Sequence, residues 1–224
     1  FDMSTTDRYD IYAPIHKALR QFMTDTLQRL GRLDLDDPQD LLLGLAQLDA
    51  LLDAAGHHVQ HENAFIHPAI EAHSRGASAR IVADHQEHLD AIAALRAEAA
   101  TLRAMPTPAL AHRLYRHLTS FVAENFEHMD MEETAHNRAL WAACSDAELQ
   151  AIEGRIHASI DTAEMNVWLR WLIPALNPAE RAALIGGLPP EARAPVLETA
   201  RRLLDDSAWV KLCLAQAPTA VSAA

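Results

Sequence analysis

Residues 56–70, GHHVQHENAFIHPAI, carry four of the chain's thirteen histidines and one glutamate in a stretch that otherwise reads as helix. His58 and Glu62 stand four apart, which puts them one turn apart on one helix face. The same spacing returns at His128 and Glu132. His16 and His85 fall on the apolar stripes of two other helices, and His88 follows His85 by three residues. Imidazole suits iron, zinc and copper, while carboxylates can bridge two cations and offset their charge. Several imidazoles and two carboxylates on inward faces would be costly without hydrogen bonds or a cation. The pattern therefore points to metal binding, with His16, His58, Glu62, His85, His128 and Glu132 as the ligand set.

The other histidines divide by helical phase. His57 and His61 form their own one-turn pair, rotated by about 100° from His58 and Glu62. They are secondary candidates, as His88 is, with ligand-orienting and solvent-facing roles as the alternatives. His67, His73, His112, His136 and His157 have no matched partner and read as surface residues. Glu124 and Glu133 read as solvated or supporting groups, and Tyr12 and Tyr115 lie in register to touch a centre.

Four amphipathic helices must position these groups. The first, over 11–30, buries Ile15, Leu19, Met23 and Leu30, with Pro14 in its first turn. The second, over 38–66, buries Leu41, Leu45, Leu48 and Leu52 and meets Pro68 as a stop or kink. The third, over 79–105, presents Ile81, His85, His88, Ile92, Leu95 and Leu102. The fourth, over 109–143, presents Leu114, Leu118, Phe121, Asn125, His128 and Glu132. Short connections make neighbours antiparallel, so the expected fold is all-α, an up-down-up-down four-helix bundle over 10–145. Mid-helix residues of all four helices then meet at one level.

Beyond Cys144 the composition shifts to a C-terminal helical extension over 146–215. Ser145 to Glu148 and Asn177 to Glu180 are capping boxes, the second with Pro at the first helical position. A Trp-containing helix covers 165–176 and a last helix covers 193–214. Trp168, Trp171 and Trp209 either cover the bundle as core or present an apolar interface through which a homodimer forms. The lead over 4–10, the loop over 74–78 and the end over 218–224 read as irregular, and no internal repeat stands out.

With 19 Lys and Arg against 31 Asp and Glu, the net charge of −12 disfavours nucleic acid and anionic membrane as partners. No apolar run is long enough to span a bilayer. The two cysteines, Cys144 and Cys213, lack metal-ligand or disulfide-framework spacing, so a cytoplasmic location is expected. Phosphate loops, serine elbows and Cys-x-x-Cys pairs are lacking.

Together these residues resemble the hemerythrin-like, or HHE cation-binding, family. The resemblance rests on His16 with Leu19-Arg20, His58 to Glu62 leading into Phe65 and Pro68, Asp84-His85, and His128-Met129 before Glu132-Glu133. It implies a non-haem di-iron centre held by histidines, with Glu62 and the acidic Glu132 bridging. Zinc, manganese or a single ion are the alternatives. Leu89 stands where the family's oxygen carriers have a second helix-three histidine, and His88 is a candidate replacement. The family's range implies binding or sensing of dioxygen or redox state. The alternatives are a di-iron enzyme acting on peroxide or nitric oxide, and a helical interaction protein with structural metal. A non-enzymatic role is the expectation.

Overall fold

The computed structural model describes residues 8–73, Gly76 and 79–216, without the side chains of His73, Ala79 and Arg80. The lead before Arg8, the 74–78 loop apart from Gly76, the 218–224 end and the His73 side chain thus lie outside the described residues. The described chain is all-α. Helices α1 (Ala13–Gly31), α2 (Pro38–His61), α4 (Ala79–Ala104) and α5 (Pro108–Met131) form the bundle. The closing contacts run α1 to α2, α2 to α4, α4 to α5 and α5 to α1. None of the helices among the described residues is long and apolar enough to cross a membrane.

Local chemistry starts the long helices cleanly. Asp37 caps α2 by accepting from the Gln39 and Asp40 N–H groups, and Thr107 caps α5 by accepting from Leu110 N–H. In both, proline takes the first helical position, where a missing N–H costs nothing. Gly44 lies in the second turn of α2, where an added Cβ would meet Leu33 Cδ1 at 2.6 Å and require that side chain to shift.

Two features depart from the periodicity reading. The helices expected over 38–66 and 109–143 are each interrupted by a π-helical turn, Glu62–Ile66 and Glu132–His136. They continue as α3 (His67–His73) and α6 (Asn137–Ala143). Pro68 therefore does not stop the helix: it sits at the second position of α3, directly after the widened turn. The second departure is a repeat hidden by interchangeable Leu and Ala. α2, its π turn and α3 measure 24, 5 and 7 residues, as do α5, its π turn and α6. His58 and His128 occupy equal places, as do Glu62 and Glu132.

The extension comprises α7 (Asp146–Ser159), α8 (Thr162–Ala175), α9 (Pro178–Gly187), α10 (Pro190–Leu203) and α11 (Asp206–Gln216). Both predicted capping boxes form, at Ser145–Glu148 and Asn177–Glu180. The last helix expected over 193–214 is two helices, because the chain extends at Leu204 and Asp205 accepts from Ala208 N–H to start α11.

Three apolar clusters organise the molecule. The largest fills the bundle and takes in Trp168 and Trp171 of α8. A second, around Tyr12, Ile66, Ile70, Leu140 and Leu149, joins the π-turn end of the bundle to α7. The third, around Ile173, Ile185 and Ala200, belongs to the extension and includes the half-buried Trp209. Trp171 stacks on Phe22 of α1 with centroids 4.1 Å apart, so α8 is a fifth wall of the bundle core. Trp171→Ala should therefore destabilise the chain by about 3–5 kcal/mol, as buried Trp truncations do, and Trp209→Ala by clearly less. Denaturant unfolding of both variants measures this, and equal losses would contradict the assignment of α8 to the bundle core.

Candidate metal centre

The six predicted ligands converge between the first two apolar clusters. His16 comes from α1, His58 and Glu62 from the α2–π junction, His85 from α4, and His128 and Glu132 from the α5–π junction. Glu62 is 1 % exposed and Glu132 is fully buried, as is His16. Two groups of four have ligand atoms within 4.8 Å of one another. One is His16, His58, Glu62 and Glu132, and the other is Glu62, His85, His128 and Glu132. Both carboxylates belong to both groups.

The atoms show how they are shared. Glu62 Oε1 lies 3.1 Å from His58 Nε2 and 3.8 Å from His16 Nε2, whereas its Oε2 lies 3.3 Å from His85 Nε2. Glu132 Oε2 lies 3.4 Å from His16 Nε2, and its Oε1 lies 3.3 Å from His128 Nε2 and 3.7 Å from His85 Nε2. Each carboxylate thus divides its oxygens between two imidazole pairs. His85 and His128 bring their Nε2 atoms to 3.0 Å. All four carboxylate oxygens, with His16 Nε2 and His58 Nε2, are buried without a hydrogen-bond partner. Such a set is costly in an apolar core and fits two cations sharing two bridges. Two His/Glu clusters of this kind match a binuclear iron site.

Supporting groups hold the imidazoles. Glu133 Oε1 accepts from His16 Nδ1–H at 2.9 Å, which leaves Nε2 to face the carboxylates. Glu133 is itself held by Arg20 at 2.5 Å. Asn63 Oδ1 lies 3.0 Å from His85 Nδ1 and plays the corresponding part. The reading of Glu133 as a supporting group fits this contact. Asn63 has no sequence signal beyond following Glu62.

The secondary candidates stay outside both groups. His57 and His61 of α2 face Glu164 of α8, at 3.3 and 4.0 Å. His88 packs its ring edge-on to His128, with centroids 4.7 Å apart, and does not fill the place left by Leu89. Leu89 itself is half-buried and packs against the bundle core. Tyr12 is fully buried and its ring lies 5.3 Å from that of His16, while Tyr115 lies far off against Gly31. His112 and His157 are exposed, as expected.

His67 and His136 correct the surface reading, since both are buried. His67 stacks on His85 at 4.9 Å and meets His136 edge-on at 6.2 Å. The π turns explain the error. In an unbroken α-helix, His67 would sit about 180° around from His58; the extra residue of a π turn shifts phase by about 100° and swings it inward. The same shift carries His136 to the His128 face.

Without metal, the carboxylates and imidazoles titrate one another. Burial alone would lower His16, but Glu133, Glu62 and Glu132 outweigh it and raise its pKa to about 9. Burial would lower His85 as well, but Glu132 and Glu62 outweigh it and raise its pKa to about 9. Burial and the neighbouring Glu62 push Glu132 up, yet His128 and His85 bring it down to about 2, and Glu62 is also held well below the carboxylate range. The histidine contributions to stability are complete below their ordinary pKa of 6.5 and disappear as pH rises through about 9. The Glu132 contribution is complete above its ordinary 4.5 and disappears as pH falls through about 2. Burial holds His67 and His88 down at about 4, so these two lose stability as pH falls below 6.5, and metal-free protein should therefore be most stable near pH 6.5. A denaturant midpoint that climbs from pH 6.5 to 9 would contradict the assigned pairs.

Residues 7–139 match the family model described as the hemerythrin HHE cation binding domain. Neither a curated protein nor a solved structure matches the chain significantly. The matched stretch covers more than half of the chain and contains all six converging side chains, from His16 to Glu132. The chain belongs to the hemerythrin HHE cation-binding family.

Proposed function

We propose that this protein uses its iron pair to bind or sense dioxygen, or another small diatomic, and to respond to redox state. The observation that carries this reading is the division of each carboxylate between two imidazole pairs. Two shared carboxylates offset part of the charge of two cations and tolerate a change of oxidation state at either. Four imidazoles and two shared carboxylates would leave coordination positions on two cations for a small ligand, and apolar clusters flank the centre on two sides. Glu133 and Asn63 fix ring orientation before any ligand arrives.

The chain is read as a binding module rather than an enzyme, working in the cytoplasm. Its free cysteines Cys144 and Cys213 suit a reducing compartment. A homodimer through the extension would use α11, where Val210 and Leu214 are exposed.

Protein purified with iron should carry about two ions per chain, by the bridging geometry of the paired groups. Glu62→Ala takes an oxygen from both positions and should leave less than about one ion per chain, while His58→Ala should leave roughly one. The reduced protein should change its absorption spectrum on meeting air. Less than one transition metal per chain, together with no spectral change in air, would overturn the proposal. Steady turnover of hydrogen peroxide or nitric oxide would instead identify an enzyme.

A further inference from the structure

The outer face of α5 carries its charges in an order that a lone helix does not favour. Arg113, Arg116, Ser120, Glu124 and Glu127 are all exposed. At about 100° per residue they fall within an arc of about 80°, one narrow stripe about 21 Å long. The cations lie toward the N-terminus of the helix and the anions toward its C-terminus, the reverse of the order that the helix dipole stabilises. No opposite charges on the stripe stand three or four residues apart, whereas Arg113 with Arg116 and Glu124 with Glu127 put like charges three apart. That spacing is mildly unfavourable within one helix.

The chain itself answers these charges only in part. Arg113 lies 3.3 Å from Glu98 of α4, with its side chain still 57 % exposed. Arg116, Glu124 and Glu127 have no partner among the described residues. Glu124 and Glu127 also share a cleft with Asp84 and Glu87 of α4, and none of the described residues lining it is Lys or Arg. α5 packs on α1, α4 and the second π turn, so the extension leaves this stripe open.

The stripe is a palindrome of opposite charge. Arg116 and Glu124 each stand four residues from Ser120, and Arg113 and Glu127 each stand seven. A twofold axis through Ser120 would lay a second α5 antiparallel on the first. Arg116 would then face the partner's Glu124, and Arg113 the partner's Glu127, each pair being made twice. A parallel pairing would set like charge on like. The side chain on the axis is small, which lets two helices approach closely there.

We propose that this face of α5 is a homodimer interface, in which two copies of the chain pair antiparallel about Ser120. An unrelated partner would have to carry the reverse order of charges, and a second α5 carries it already. The partner's Arg116 then offsets the carboxylates of the acidic cleft. Exposed ion pairs contribute little singly and are screened by salt, so the dimer is weak and salt-sensitive. The contact is separate from the exposed residues of α11, and it needs no iron.

Sedimentation equilibrium of the full chain tests this. The wild type should dimerise at low salt, and about 0.5 M salt should weaken the dimer about tenfold or more. Arg116→Glu and Glu124→Arg should each weaken it about tenfold or more, and the two together should restore it, since the exchanged charges again face each other. All are exposed helix positions, and thermal melting checks that each variant folds. Arg116→Glu makes the acidic chain more negative and Glu124→Arg less so, so general repulsion would weaken one dimer and strengthen the other. A tighter dimer with Glu124→Arg, or a double variant that stays dissociated, overturns the proposal. So does a wild type that remains monomeric at about 1 mM. A dimer that Leu214→Glu disrupts while both α5 single variants keep it lies at α11, and overturns the proposal as well.

Discussion

Two carboxylates buried side by side set the terms for everything around them. Moving one ionised carboxylate into a protein interior costs several kcal/mol after relaxation, and a second beside it adds repulsion. Glu62 and Glu132 are nonetheless both held ionised, by four imidazoles supplied by all four bundle helices. Positive charge at this level is therefore a condition of the fold as well as of its chemistry. In the metal-free chain it comes from protonated His16 and His85. Bound cations would be held by the same lone pairs and oxygens. The polar layer lies between two apolar clusters, with open clefts reaching its His85 and His128 side.

The π turns are the mechanical solution to that constraint. Each begins at one of the two buried glutamates, and the pair occupies equivalent places in the two halves of the bundle. A regular helix would carry the residues after Glu62 and Glu132 around with unbroken phase. Widening the turn brings His67 and His136 inward, where His67 stacks on His85 and meets His136 edge-on. π turns cost hydrogen-bond quality, and their common placement at functional sites reflects such re-aiming of side chains. The approximate twofold relation between halves gives the two metal positions matching pairs of imidazoles. Symmetry is then broken by what lies outside the bundle. α8 packs on α1 and α7 packs near the first π turn, and among the described residues no helix beyond α5 and α6 packs comparably on the second π turn.

Much of this architecture is legible in residue order. The apolar stripes locate four helices, Pro38 and Pro108 mark two starts, and the capping boxes at Ser145 and Asn177 mark two more. The six converging side chains are readable because His-to-Glu spacings of four stand out among Ala and Leu. The break at Leu204 was masked by an apolar pattern that continues on both sides of it.

By itself the sequence determined that histidines and acids would lie on inward faces, since 3.6-residue periodicity is a local property of the chain. It could also name which of them share a face within one helix. Which oxygen meets which imidazole is a relation between helices, set by packing distances that no local pattern encodes. The burial of His67 and His136 follows from an extra residue in a turn, which alters phase without altering composition. A cavity beside His58 exists only because α7 and α8 fold back across the bundle, bringing Ile160 and Trp168 against residues about a hundred positions earlier. Local physics chose the ligands, and long-range packing decided their geometry, their support and what can reach them.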